Sequence, residues 1–227
     1  MLIYGKQPIR YIIKNNPSKV KTLYIARELD KKEYANLNRY DFTLKRIPSD
    51  AAGVMCKNGS HQGYLAEIDD IKLSSYKDFF DFDFILVLSG VTDIGNIGAI
   101  VRSAYALGVD GVIACGVKQL PLEGIVRTST GALYEMPFAI ENNVHNVMND
   151  LKMSGFTTYG ADMGGRDIRV VELKRKRALF LGAEGEGLSN RIVSKLDEIV
   201  SIKMAHQFDS LNVSVAGAIL MDRMRYE

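Results

Sequence analysis

The sequence predicts an α/β protein in two parts, a mostly parallel β-sheet covered by helices on both faces, preceded by a smaller α/β or α+β unit. Three observations carry that expectation. From Phe84 onward six short apolar runs alternate with helical stretches, the pattern of a parallel sheet whose strands are buried on both sides. Before Phe84 the segments are shorter and mixed. The charge divides as well: residues 1–80 hold 14 Lys+Arg against 9 Asp+Glu, a balance of +5, and residues 81–227 hold 15 against 18, a balance of −3. A basic part attached to an acidic one suggests that the first meets a polyanion, because phosphate is contacted by Lys and Arg.

In chain order, "VKTLYIA" reads as a strand, "DKKEYANLN" as a short helix, "FTLKRI" as a strand, "PSDAAGVMCK" as a capped helical turn and "GYLAEI" as a strand. "KLSSYKDFFDFD" lacks clear periodicity and reads as a linker. The division is therefore domain 1–72, linker 73–82 and domain 83–227. In the second domain the strands are "FILVLSG", "GVIACG", "MPFAIE", "FTTYGA", "ALFLGA" and "EIVSIKM", with helices from about Ile97, Leu122, Asn143, Leu188 and Leu211. Ligands of such sheets sit beyond the carboxyl ends of strands, which directs attention to the loops after "FILVLSG", "ALFLGA" and "EIVSIKM".

The 227 residues are 47% hydrophobic, enough for one or two cores, and their 25% charged content is that of an ordinary globular chain rather than a disordered one. "MLIYGKQPIR" has no apolar stretch of signal-peptide length, and no run approaches the roughly 18 apolar residues of a membrane span. A cytoplasmic chain with no membrane partner is expected. Cys56 and Cys115 show neither CxxC spacing nor a His/Cys cluster, so both are expected as reduced packing residues and no metal site is expected. "KRKR", Lys174 to Arg177, reads as a solvated run that could track phosphate, His61 as a structural residue or a contact to that polyanion, and Tyr11, Tyr24 and Tyr64 as packing residues.

Three loops carry the chemical signal. In "DIGNIGAIVRSAYALGVDGV", glycines at Gly95 and Gly98 fail the GxGxxG spacing of a dinucleotide site. Asn96 is placed to cap the helix, Ile97, Ile100, Val101, Ala104 and Leu107 form its apolar stripe, and Arg102 stands apart among Gly98, Ala99 and Ala106. A capped amphipathic helix with one exposed arginine is the plainer alternative. In "LFLGAEGEGLSN", Glu184 and Glu186 sit between glycines, where carboxylates repel phosphate while glycines admit close backbone approach. That favours a cationic, sulfonium-like ligand with a flat ring over a nucleoside triphosphate; a tight strand-to-helix connection is again the alternative. In "SIKMAHQFDSLNVSVAGAIL", Asp209 or Ser210 is placed to cap a last helix that is apolar nearly all round, hence buried, and it could complete that burial against a second copy of the chain.

Together, in this order, the three loops resemble the three motifs of the SpoU (TrmH-like) RNA 2′-O-methyltransferases of the SPOUT superfamily, over roughly residues 84–227. "IYGKQPIRYII", "VKTLYIA" and "SHQGYLAEI" resemble the ribosomal-protein-like substrate-binding domain of the branch that modifies a guanosine of 23S ribosomal RNA. The resemblance implies a C-terminal trefoil knot, which chain physics alone argues against. It implies S-adenosylmethionine as cofactor, held around Leu181, Gly182, Ile202, Met204 and Leu211. It implies Asn96, Arg102, Glu184, Ser210 and Asn212 at the catalytic centre, an active site formed across a homodimer, and RNA as partner. A 23S rRNA guanosine is the first expectation and a tRNA loop guanosine the second, with a non-catalytic RNA-binding or ribosome-assembly protein on the same fold as the other class. An NAD-dependent enzyme is disfavoured by the missing fingerprint.

The chain departs from the family pattern at Lys203 and His206, where proline and glycine are common, and in "GVKQLPLEGIVRTSTGALYEMP", which keeps Arg127 but little of the usual basic loop. Arginine is almost always protonated, so Arg102 is expected to pair with RNA phosphate and stabilise developing alkoxide charge rather than act as a base. Glu184 is expected to orient Arg102 or the cofactor loops, and Ser210 and Asn212 the ribose or the loop backbone.

Overall fold

The computed structural model describes residues 1–206 and 210–225. Asp209, one of the two expected caps of the last helix, lies outside the described residues. The chain divides into two compact units, residues 1–72 with 121–134, and residues 73–120 with 135–227.

The first unit is a four-stranded mixed sheet with helices. In chain order it contains β1 (Leu2–Tyr4), α1 (Lys6–Asn15), β2 (Val20–Ile25), α2 (Lys31–Leu37), β3 (Thr43–Arg46), α3 (Ser49–Met55) and β4 (Tyr64–Ile68). The order across the sheet is β1-β4-β2-β3, with β4 antiparallel to both neighbours and β2 parallel to β3. Ile9, Ile12 and Ile13 recur at helical spacing, so α1 has one buried face, which meets β4. His61 is a turn residue: its Nδ1 accepts the Gly63 N–H at 3.1 Å.

The second unit holds β5 (Phe84–Ser89), α4 (Ile94–Ala106) and β6 (Gly111–Cys115). The chain then passes through α5 (Leu122–Thr128) and returns as β7 (Phe138–Glu141), α6 (Val144–Met153), β8 (Thr157–Asp167), β9 (Arg177–Gly182), α7 (Asn190–Val193), β10 (Glu198–Ser201) and α8 (Val213–Met224). The six strands are all parallel in the order β10-β8-β9-β5-β6-β7. Every residue of β6 and β9 is buried, as the unbroken apolar runs require of strands covered on both faces. Cys56 and Cys115 are both free and buried. No helix among the described residues is long and apolar enough to cross a membrane.

Several sequence expectations change here. The segment Pro121–Tyr134 packs with the first unit: α5 meets α1 and β1, the Arg127 guanidinium lies 4.4 Å from the Tyr4 ring centroid, and the Tyr134 hydroxyl donates to the Asp69 carbonyl. The stretch read as a linker contributes one core residue and several half-buried aromatics. A 3₁₀ turn at Tyr76–Phe79, capped by Ser75, buries Phe79 in the second unit, and the Tyr76 hydroxyl donates to Asp150 at 2.8 Å. "KRKR" is solvated in its first half only: Lys174 and Arg175 are exposed, Arg175 pairing with Asp83, whereas Lys176 donates to the Ser154 carbonyl and Arg177 is buried with its guanidinium 4.5 Å from the Phe84 ring.

Candidate active site

Four stretches of chain meet at the carboxyl ends of the strands. A cavity of about 680 Å³ opens there, walled by the end of β8 (Ala161 to Met163), the loop after β9 (Leu181 to Gly187), the end of β10 with its loop (Val200 to Met204) and the entry to α8 (Ser210 to Val213). Leu181, Gly182, Ile202, Met204 and Leu211 all line it, as do Glu184, Ser210 and Asn212. The walls from β8 were not among the expected residues. Their signal was available, since "FTTYGA" ends at the same sheet edge as "ALFLGA".

Close backbone approach shapes the cavity. A Cβ on Gly182 would sit 2.1 Å from the Gly187 carbonyl carbon and 2.3 Å from the Leu188 nitrogen, so the loop after β9 folds directly back on the strand end. Gly165 is similarly pressed against the backbone of β10, where a Cβ would sit 2.7 Å from the Ile199 carbonyl. Opposite that point the pairing of β8 with β10 jumps, Ile199 facing Gly160 and Val200 facing Arg166, which pushes residues 161–165 out of the ladder. The outer end of β8 is fastened by exposed ion pairs: Arg166 meets Glu198 at 2.7 Å, and hydrogen bonds from Arg169 draw the Asp167 carboxyl down to about 2.

The polar centre is built on two helix starts. Asp93, rather than Asn96, caps α4: its Oδ1 accepts the Asn96 N–H at 2.7 Å, and the helix begins at Ile94 rather than near Ile97. Asn96 is thereby freed from capping. Asn212, rather than Ser210, caps α8; its Oδ1 accepts the Ser214 N–H at 2.9 Å and the Ser214 hydroxyl as well. With its oxygen committed to Ser214, the Asn212 amide turns its Nδ2 outward, donating to Asn96 Oδ1 at 3.0 Å and to Glu184 Oε1. One amide therefore joins the starts of α4 and α8 to the glycine-rich loop, across 116 residues of sequence.

Arg102 does not line this cavity. It stands on the exposed surface of α4, six residues beyond Asn96, about 9 Å along the axis. Helical side chains lean towards the N-terminus, so Arg102 lies over the turn formed by Gly98 and Ala99. α8 is not buried all round either: Gly217, Leu220, Met221 and Met224 are buried, while Val215 and Ile219, one turn apart, are 47% and 37% exposed. Lys203 and His206 are exposed. Among the described residues no group of three or more His, Cys, Asp or Glu side chains is placed to hold a metal ion.

Residues 83–222 match the SpoU rRNA Methylase family, and residues 2–73 match the RNA 2′-O ribose methyltransferase substrate-binding family. The chain belongs to the SpoU rRNA methylase family. As a SpoU member it is an RNA methyltransferase by family, with a separate N-terminal domain of the substrate-binding type. It is 33% identical over 175 residues to an uncharacterized tRNA/rRNA methyltransferase of Archaeoglobus fulgidus, covering 74% of this chain and 78% of that one. It is 30% identical over 220 residues to the 23S rRNA (guanosine-2′-O-)-methyltransferase RlmB of Bordetella pertussis, covering 92% and 90%. Among solved structures, the SpoU methyltransferase AviRb of Streptomyces viridochromogenes, crystallised with the cofactor AdoMet, superposes with a TM-score of 0.77 at 26% identity, covering 99% of this chain and 88% of AviRb.

Proposed function

We propose that the second unit binds S-adenosylmethionine in its cavity and that the protein methylates a ribose 2′-hydroxyl of structured RNA in the cytoplasm, a guanosine of 23S rRNA in the first instance. The observation that carries this reading is the Asn212 bridge, which joins Asn96 and Glu184 at the edge of a cavity of ligand size. The residues present fit the cofactor. Leu181, Ile202, Met204, Leu211 and Leu220 supply apolar wall for a flat ring, the loop at Gly182 leaves no room for a side chain, and Glu184 and Glu186 bring negative charge suited to a cation.

When bound, the cofactor supplies an electrophilic methyl group on a positively charged sulfur. The protein's part is orientation and charge. Asn212 fixes Glu184 in the loop and Asn96 at the start of α4, so these three polar groups hold one arrangement rather than sampling several. Ser210 contributes polar wall where the ribose is taken. Arg102, which does not line the cavity of its own chain, is assigned to the site completed across the homodimer, where it pairs with the RNA phosphate and steadies negative charge developing on the ribose oxygen, a role open to a permanently protonated guanidinium.

Two structural readings accompany this one. The three close-pressed loops are read as a trefoil knot, supported by the backbone contacts at Gly165 and Gly182. The exposed Val215 and Ile219 of α8 are read as part of a homodimer face, since apolar surface on a nearly apolar helix calls for cover. The test is to incubate the protein with labelled S-adenosylmethionine and unmodified 23S rRNA or tRNA and map the label. A single labelled 23S rRNA guanosine is expected. Label in a tRNA loop alone would move the substrate to the second reading, and tight cofactor binding with no label in either RNA would favour a binding protein.

A further inference from the structure

A second recess, about 660 Å³, lies within the first unit between α1 and the stretch from Asp30 to Tyr40. Four cations line it: Arg10 and Lys14, one turn apart on α1 and so separated by about 6 Å, with Lys32 on α2 and Arg39 just beyond it. All four are exposed. The two carboxylates that also line the recess are engaged within the protein. Asp30 caps α2 through the Glu33 N–H at 2.7 Å, and Glu33 accepts from both Arg10 and the buried Tyr64 hydroxyl.

The cations divide differently. Arg10 is held by Glu33 along one edge of its guanidinium. Lys14, Lys32 and Arg39 form no ion pair among the described residues. Three cations elsewhere in the unit do have partners close by: Lys21 pairs with Asp69 at 3.1 Å, Lys45 lies 5.9 Å from the Tyr24 ring centroid and Arg46 lies 5.7 Å from that of Tyr34. Four cations against two carboxylates leave the recess with a net positive charge, and its two acids are turned towards partners within the protein.

We propose that this recess is where the first unit grips RNA, taking phosphates on Lys14, Lys32 and Arg39 while the Glu33–Tyr64 pair holds Arg10 and the wall in place. The proposal rests on the reading of the chain as an RNA methyltransferase and adds the surface by which substrate is held. Phosphate contacts release counterions, and each one lost reduces the salt slope of binding by about 0.7 to 0.9. Removing three should flatten the slope by about 2 to 3.

The experiment uses the full chain, a 23S rRNA transcript as probe, and two triple variants of equal charge change. One is Lys14→Ala with Lys32→Ala and Arg39→Ala; the other is Lys21→Ala with Lys45→Ala and Lys57→Ala. The recess variant should lose the slope stated above, a weakening of about 100- to 1000-fold at 0.1 M salt if affinities converge near 1 M. The control should keep nearly the wild-type slope, and both should bind S-adenosylmethionine like wild type. Equal losses in the two variants, an unchanged slope in the recess variant, or polyglutamate binding as tightly as RNA at the same salt would each overturn the proposal. If the wild type methylates RNA and the recess variant binds normally, the recess assignment fails alone. If the wild type methylates no RNA yet the slope falls as stated, the enzymatic reading fails alone.

Discussion

Replacing Gly182 with alanine puts a methyl carbon where the loop after β9 returns, 2.1 Å from the Gly187 carbonyl carbon and 2.3 Å from both its oxygen and the Leu188 nitrogen. These are backbone atoms, so no side chain can swing aside. Gly182 does not lie at positive φ, and the cost is therefore steric alone. Overpacking of this kind costs about 1–3 kcal/mol, relieved here only by moving the loop that walls the cavity. If that strain is released by opening the loop, cofactor affinity should fall by roughly 5- to 150-fold, at about 1.4 kcal/mol per tenfold. Gly185 provides the comparison: a Cβ there meets nothing within 4 Å, but its φ of +78° makes alanine strained by about 1 kcal/mol. Calorimetric titration with S-adenosylmethionine and thermal unfolding, run on both variants, should rank Gly182→Ala as the more damaged in both measurements. A Gly182→Ala protein that binds cofactor within twofold of wild type and melts at the same temperature would refute the argument that close backbone approach builds this site.

Asn212→Ala should cost about 1 kcal/mol of stability as a lost helix cap and abolish methyl transfer; Asn212→Asp should keep the cap, set a second carboxylate against Glu184 and still lose transfer, so an active aspartate variant would remove the bridge from the account. Arg102→Ala should stop transfer while leaving cofactor affinity within a few-fold, because Arg102 does not line the cavity; a large loss of cofactor binding in a titration would contradict its assigned role. The Glu33 carboxyl is held below its ordinary 4.5, most by the Tyr64 hydroxyl and then by Arg10, so it stabilises the fold above about pH 4.5 and that contribution disappears as pH falls through the lowered value. Tyr64→Phe should make urea midpoints less sensitive to pH between 3 and 5, and an unchanged acid slope would exclude the hydroxyl as the cause. Ile219→Glu should yield monomers in sedimentation equilibrium where the wild type sediments as a dimer; a wild-type monomer would remove the proposed face.

Periodicity located β5, β6 and β9 most readily because each is a nearly unbroken apolar run, and burial on both faces requires such runs. It gave no assignment to residues 1–16, where β1 is only three residues long and α1 carries polar residues between its isoleucines. Helix starts were misread by up to three residues where several capping residues compete: in "TDIGN" both Asp93 and Asn96 suit the cap, and the structure gives it to Asp93. The same competition at "DSLN" went to Asn212. The aromatic run at 76–82 looked irregular because its 3₁₀ turn has no amphipathic period, although Phe79 is core. The lining of the cavity was largely legible through family resemblance. The Asn96–Asn212–Glu184 bridge was not, since nothing local in a sequence reports that one amide reaches two loops so far apart in the chain.

The most direct measurement follows the methyl group itself. A 2′-O-methyl removes the nucleophile that alkali uses to cut RNA, so the wild-type protein should leave one labelled, alkali-resistant position in the RNA, and Arg102→Ala should leave none. Label on a base, or a labelled site that alkali still cleaves, would contradict the account.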